Sequence, residues 1–170
     1  MHVFISGSSG VGKTAVINEL AERGYAAFDT DHVPGLARLE LSATGEPVDW
    51  PESGYIDWEK YAWNIQAPVF EELITNKNDL ILSGICHNQA QFYDKFDRLI
   101  VLTVAPEEYL RRMRERPYRG ANDDEINIKQ RVNRYATKLQ QFIDAGFTPV
   151  SNTGSPAKTA DEILRIAHAG

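Results

Sequence analysis

Short unbroken apolar runs alternate with amphipathic stretches along this chain. Val3-Phe4-Ile5 stops at Ser-Gly-Ser-Ser-Gly, which predicts a buried strand ending in a glycine turn. Lys13 to Arg23 follows as a helix, with Val16, Ile17 and Leu20 on one face and Gly24 at its C-terminal stop. Ala26-Ala27-Phe28 predicts a second strand leading into Asp29-Thr30-Asp31. Residues 42–55, rich in Gly, Pro, Ser and Trp, predict an ordered loop. Asp57 to Thr75 is expected to be one helix, because Tyr61, Ile65, Val69 and Leu73 recur at every fourth position. Leu80-Ile81-Leu82-Ser83 and Leu99-Ile100-Val101-Leu102 are continuous apolar runs, the pattern of strands covered on both faces. Pro106 opens a helix that Pro117 closes, and after a short loop a long helix runs from about Asp123 to Ala145. Phe147 to Val150 is the fifth strand, and Pro156 to Ala169 the last helix. Strands alternating with helices predict one three-layer α/β/α domain over residues 1–170, built on a five-stranded parallel sheet.

Gly7-Ser8-Ser9-Gly10-Val11-Gly12-Lys13-Thr14 is a complete phosphate-binding loop of the form Gly-x4-Gly-Lys-Thr. Its glycines let main-chain N–H groups turn inward around phosphate oxygens, and the following helix adds the positive end of its dipole. Lys13 is placed to bridge the β- and γ-phosphates, and the Thr14 hydroxyl to ligate Mg²⁺. The loop follows an apolar strand and opens an amphipathic helix, the context of the P-loop NTPase fold.

Asp29-Thr30-Asp31 ends the second strand, at the sheet edge where open α/β proteins bind ligands. One carboxylate is suited to the Mg²⁺ shell and the other to accepting a proton from an attacking hydroxyl; the same residues would also cap a following helix. Residues 111–134 carry eight basic side chains, among them Arg112, Arg116, Arg119 and Arg131. Two helices joined by an arginine-bearing loop predict a short helical lid over about 112–135, whose guanidinium groups would balance charge on a transferring phosphoryl group.

The N-terminal phosphate loop, the arginine helix and Arg119-x11-Arg131-x3-Tyr135 resemble the adenylate kinase family of nucleoside monophosphate kinases. That resemblance implies that Arg112 stacks on adenine and that Arg116, Arg119 and Arg131 clamp phosphates. Phe28-Asp29-Thr30-Asp31 is similar to shikimate kinases and, more loosely, to dephospho-coenzyme A kinases. The likeness implies that Asp29 serves magnesium and that Asp31 touches the acceptor hydroxyl. This chain departs from both groups after the third strand. Monophosphate kinases typically carry Asp-Gly-Phe-Pro-Arg there and shikimate kinases a glycine triplet, whereas here Ser83-Gly84-Ile85-Cys86-His87-Asn88-Gln89 follows.

Charge sharpens the acceptor side, taken as about residues 32–75. Residues 39–97 hold 3 basic and 11 acidic side chains, a net of −8, and no arginine lies between Arg38 and Arg98. An acidic, arginine-free wall favours neutral or cationic molecules over phosphates and carboxylates. Trp50, Tyr55, Trp58, Tyr61 and Trp63 offer aromatic faces for a base or sugar, though the same residues would also suit a solvated surface over a Trp-containing core. Gly84, His87 and Arg38 complete the candidate acceptor residues, with Arg38 leaving room for an anionic acceptor if it enters the cleft.

The whole chain carries −6 at pI ≈ 5.2, a poor match to nucleic acid. Cys86 is the only cysteine and no apolar run reaches ~18 residues, so neither a disulfide framework nor a membrane span is expected. The sequence therefore leads to a cytoplasmic, ATP- and Mg²⁺-dependent phosphotransferase, monomer or homodimer, acting on a nucleoside or other small hydroxyl compound. A nucleoside monophosphate kinase and a nucleotide-binding regulatory NTPase are the alternatives.

Overall fold

The computed structural model describes residues 1–115 and 125–169. In chain order the elements are β1 (His2–Ser6), α1 (Lys13–Glu22), β2 (Ala27–Asp29), β3 (Ala37–Leu41), β4 (Tyr61–Ile65), α2 (Ala67–Thr75) and β5 (Leu80–Ser83). After a 3-10 segment, Gln89–Lys95, come β6 (Arg98–Thr103), α3 (Pro106–Glu115), α4 (Glu125–Asp144), β7 (Thr148–Ser151) and α5 (Pro156–His168). Five strands pair as one parallel sheet in the order β2-β5-β1-β6-β7. Both faces of the inner strands are covered, which is why β1, β5 and β6 read as apolar runs, whereas the edge strand β7 buries only Val150. Val3, Ile5, Ile81, Ile100 and Leu102 pack with Val16, Ile17 and Leu20 of α1 and Ile163 of α5. On the opposite face Phe4, Leu80, Leu82 and Val101 meet Phe70 of α2, Phe92 and Phe147. This is the three-layer α/β/α arrangement of the P-loop fold expected from the sequence.

The expected helix over 57–75 is two elements. Tyr61–Ile65 is a strand, antiparallel to β3, and only Ala67–Thr75 is helical. A spacing of four keeps residues on one face of a strand as well as of a helix, so Tyr61 and Ile65 could not separate the two. The break falls at Gln66, whose backbone is extended (φ −91, ψ 109), with Pro68 in the first turn of α2. Residues 42–60 connect the hairpin, so the loop expected over 42–55 lies within that connection.

Glu40 locks the hairpin internally. It is only 8% exposed and accepts hydrogen bonds from Asn64 Nδ2 (2.7 Å), Gln66 Nε2 (3.0 Å) and Arg38 Nε (2.8 Å). Burial opposes its charge, but the bonds from Asn64, Arg38 and Gln66 outweigh that and hold its carboxyl below the ordinary range. The loop after β5 then staples the hairpin to the sheet. Asn88 accepts the Ile65 N–H on Oδ1 (2.8 Å) and donates Nδ2 to the Ile65 carbonyl (2.9 Å), in the manner of a paired strand.

Helices α3 and α4 meet where Tyr109 and Tyr135 stack at 4.5 Å. An Arg114–Glu125 ion pair bridges the two helices. Arg116 and Arg119 lie outside the described residues. Among the described residues no helix is long and apolar enough to cross a membrane.

Because the folded pKa of Glu40 is depressed, its contribution to stability is complete above the ordinary glutamate value of about 4.3 and is lost as pH falls through the folded value. Urea unfolding should therefore show Glu40→Gln destabilised by roughly 1–3 kcal/mol at neutral pH. The gap to wild type should close on acidification.

Candidate active site

The strand ends of the parallel sheet and the loop leaving β1 build the site. Gly12 caps α1 in the left-handed region (φ 101, ψ 22), and no side chain caps the first turn. Main-chain N–H groups there are presented to an anion. A Cβ on Gly12 would stand 2.5 Å from Asn152 Nδ2 and 3.3 Å from Arg112 Nη1. Only glycine lets those two side chains close on the loop. They close on Val11, fully buried, whose carbonyl accepts Arg112 Nη1 at 2.9 Å and Asn152 Nδ2 at 2.8 Å. Asn152 is fixed in turn by Thr159 Oγ1 (2.7 Å), and its own carbonyl takes Arg112 Nη2 (2.8 Å). Glu108 accepts Arg112 Nε at 2.6 Å. With Nε and both Nη groups engaged, the flat faces of the Arg112 guanidinium are what remains for a stacked ring. Lys13 Nζ folds back on the carbonyls of Gly7 (2.9 Å) and Ser8 (3.4 Å), inside the curve of the loop. Ser9 and Thr14 are exposed around it.

Asp29 ends β2 in register with Ser83 at the end of β5. Strand alternation from Ala27 and Ile81, which pack against α1, puts both residues on the α1 face of the sheet. Asp29 is buried, and its Oδ1 accepts the Asp31 N–H at 3.1 Å. Burial pushes its carboxyl pKa up; that hydrogen bond opposes the rise, the neighbouring Asp31 charge adds to it, and Lys13 opposes it. Ser83 Oγ is fully buried without a hydrogen-bond partner. A buried carboxylate and an orphaned hydroxyl on one face suit the water shell of a magnesium ion, which takes most of its remaining ligands from phosphates and water. Thr14 and Asp29 would hold that ion. Among the described residues no group of three or more His, Cys, Asp or Glu side chains forms a metal site by itself.

Asp31, exposed on the same turn, is joined to the hairpin: its Oδ1 accepts Trp63 Nε1 at 2.8 Å and Thr30 Oγ1 at 3.3 Å. His87 holds the other side of Trp63, accepting its N–H on Nδ1 (3.0 Å) and donating its own N–H to the Trp63 carbonyl (2.8 Å). The Trp58 ring lies 5.3 Å from that of His87, and Trp50 meets Trp63 edge-on at 6.0 Å. Trp50 and Trp58 are 54% and 45% exposed, a large aromatic surface left open beside a carboxylate. A Cβ on Gly84 would fall 2.2 Å from Thr30 Oγ1, so glycine is what lets this loop pass the Asp-x-Asp turn. Cys86 lies against Thr30, 3.9 Å from its hydroxyl, and burial pushes its thiol up to about 12.

The structure thus brings together Asp31 and His87 through Trp63, and Arg112 with the phosphate loop. Arg38 is bound to Glu40, with its side chain 48% exposed. Arg131 sits on α4 one turn before Tyr135, whose hydroxyl is bonded to both the N–H and the carbonyl of Val104. Asn152, Thr159 and Glu108 were missed in the sequence. Asn152 follows the last strand at the ligand-binding edge, a signal that could have marked it.

The AAA domain family matches residues 3–133. No curated protein matches the chain. Among solved structures it is similar to the shikimate kinase of Acinetobacter baumannii in complex with shikimate, at 20% identity and TM-score 0.66, covering 98% of this chain and 92% of that one. The TT1252 protein of Thermus thermophilus is 17% identical with TM-score 0.62, covering 100% and 98%. The shikimate kinase of Aquifex aeolicus is 16% identical with TM-score 0.59 and full coverage of both chains. At these identities the likeness is one of fold.

Two outcomes follow from this geometry. Asn152→Ala, which strips one donor from the Val11 carbonyl, should raise the KM for ATP roughly tenfold while leaving the acceptor KM unchanged. The raised pKa of Asp29 means that it holds a proton at higher pH than an ordinary aspartate does. Calorimetry of magnesium–nucleotide binding should show affinity falling on acidification with release of a proton, and both effects should be smaller in Asp29→Asn, where only the titration of the nucleotide phosphates remains.

Proposed function

The chain belongs to the AAA domain family, and on that premise we propose that it is a phosphotransferase moving the γ-phosphoryl group of ATP to a hydroxyl of a small acceptor. The observation that carries this reading is Asp31, an exposed carboxylate held between the phosphate-loop edge of the sheet and an open aromatic wall. Main-chain amides of residues 7–14 and Lys13 hold the donor phosphates, and the Arg112 face receives the base. The acceptor hydroxyl gives its proton to Asp31 as its oxygen attacks phosphorus, and the bond to the β-phosphate breaks to release ADP. Arg116, Arg119 and Arg131 balance the charge spread over the moving group. Thr14 and Asp29 would hold a magnesium ion, which would supply charge neutralisation for the phosphates.

We read the acceptor as a nucleoside or similar uncharged hydroxyl compound. Shikimate, the ligand of the Acinetobacter enzyme, carries a carboxylate. Here Arg38 is the only arginine of residues 32–97, and its Nε is held by Glu40. A monophosphate acceptor would meet the same lack of free positive charge. Such an activity fits a reducing, ATP-supplied compartment, the cytoplasm.

Labelled ATP offered with nucleosides, nucleoside monophosphates, sugars and amino alcohols should give transfer to an alcohol and little to a monophosphate. Lys13→Ala should abolish transfer. Asp31→Asn should lower kcat by about 10²–10⁴-fold with ATP affinity little changed. ATP hydrolysis at equal rates with and without every acceptor would overturn the reading.

A further inference from the structure

Asp31 makes its bonds asymmetrically. Oδ1 accepts two hydrogen bonds, from Trp63 Nε1 and Thr30 Oγ1. That fills the usual capacity of one carboxylate oxygen. Oδ2 accepts none from the described residues. The bond from the indole, at 2.8 Å, is the shorter of the two, against 3.3 Å from Thr30. Trp63 stands opposite Leu39 in the hairpin, its main-chain N–H and carbonyl are both bonded to His87, and Trp50 packs edge-on against its ring. Asp31 itself is exposed, and its backbone N–H goes to Asp29. The indole is therefore the main restraint on the carboxylate plane.

We infer that Trp63 is a positioning residue for phosphoryl transfer: its indole N–H pins Oδ1 of Asp31, so that Oδ2 alone receives the proton of the acceptor hydroxyl. This deepens the reading of Asp31 as proton acceptor and rests on it. In the step, the O–H proton passes to Oδ2 and an oxygen lone pair forms the new O–P bond. The bond between γ-phosphorus and the β-phosphate oxygen breaks, and ADP leaves with that electron pair. The proton later leaves Asp31 to solvent. Trp63 neither gives nor takes a proton; it sets which oxygen faces the acceptor and ties that orientation to the aromatic wall on which the acceptor rests. Alignment of this kind affects turnover rather than binding.

The test replaces the N–H alone. Incorporation of benzothienylalanine at position 63 keeps the ring's shape and exchanges N–H for sulfur; Trp63→Phe is the simpler companion. Both proteins should lose about tenfold to a hundredfold in kcat, with KM for ATP and acceptor within about twofold and thermal midpoints of the benzothienylalanine protein unchanged. In an Asp31→Asn background, Trp63→Phe should produce no further loss of the residual kcat. Independently of turnover, the Trp63 indole proton resonance should shift upfield and exchange faster with solvent in Asp31→Asn. Wild-type kcat in the benzothienylalanine protein, while Asp31→Asn remains impaired, would overturn this inference and leave Asp31 as the base. So would losses that multiply in the double variant, which mark a purely structural role. Wild-type turnover in Asp31→Asn, or no phosphorylated acceptor at all, would overturn the reading of Asp31 and this inference with it.

Discussion

A helix that begins without a side-chain cap is the constraint on which the rest of this structure depends. The first turn of α1 presents its main-chain donors at the end of β1, and Gly12 is the hinge that aims them. Keeping such a turn open while shaping it demands contacts from behind. Arg112 and Asn152 supply them by gripping the Val11 carbonyl, so α3 and the loop before α5 brace the loop rather than fill it. The parallel register completes the arrangement, since it brings the ends of β1, β2, β5 and β6 to the same edge. The carboxylates of Asp29 and Asp31 reach that edge because β2 ends there.

The two halves of the site differ in charge and in how they are held. At the phosphate loop, Lys13 is ordered by the carbonyls of Gly7 and Ser8, and Arg112 by the carbonyls of Val11 and Asn152 together with the Glu108 carboxylate. On the acceptor side the one arginine is matched to a buried glutamate, and the open surface is aromatic and acidic. Two surfaces of unlike charge meet at one edge of the sheet, and such a contrast discriminates between ligands by electrostatics as well as by shape. The arginine-rich helix is less uniform than its composition suggests. Arg111 pairs with Glu108 and Glu115, and Arg114 with Glu125, so part of its charge is consumed on the surface.

Much of this was legible in the sequence, and the gaps have physical causes. The apolar runs of β1, β5 and β6 were readable as parallel strands because burial on both faces leaves no alternation to misread, while β2 and β7 were placed by their position between helices. The phosphate loop and the Asp-x-Asp turn were readable because their chemistry is carried by adjacent residues. The hairpin was not, since Tyr61 and Ile65 share a face under either periodicity and β3 is half polar. The bracing of the loop by Asn152 and Thr159 depends on residues some 140 positions away from Val11, a relation that only the folded sheet creates. Trp63 was visible as an aromatic, but its use as a donor to Asp31 follows from the hairpin that periodicity concealed.

The only cysteine of the chain, Cys86, sits beside the Asp-x-Asp turn. Cys86 touches the Thr30 hydroxyl between the two aspartates, yet its burial keeps the thiolate out of reach at physiological pH. Peroxide and alkylating reagents attack thiolates, so a thiol held protonated by burial is a poor target for them. The low reactivity of this one thiol is thus a by-product of packing a small side chain under the turn.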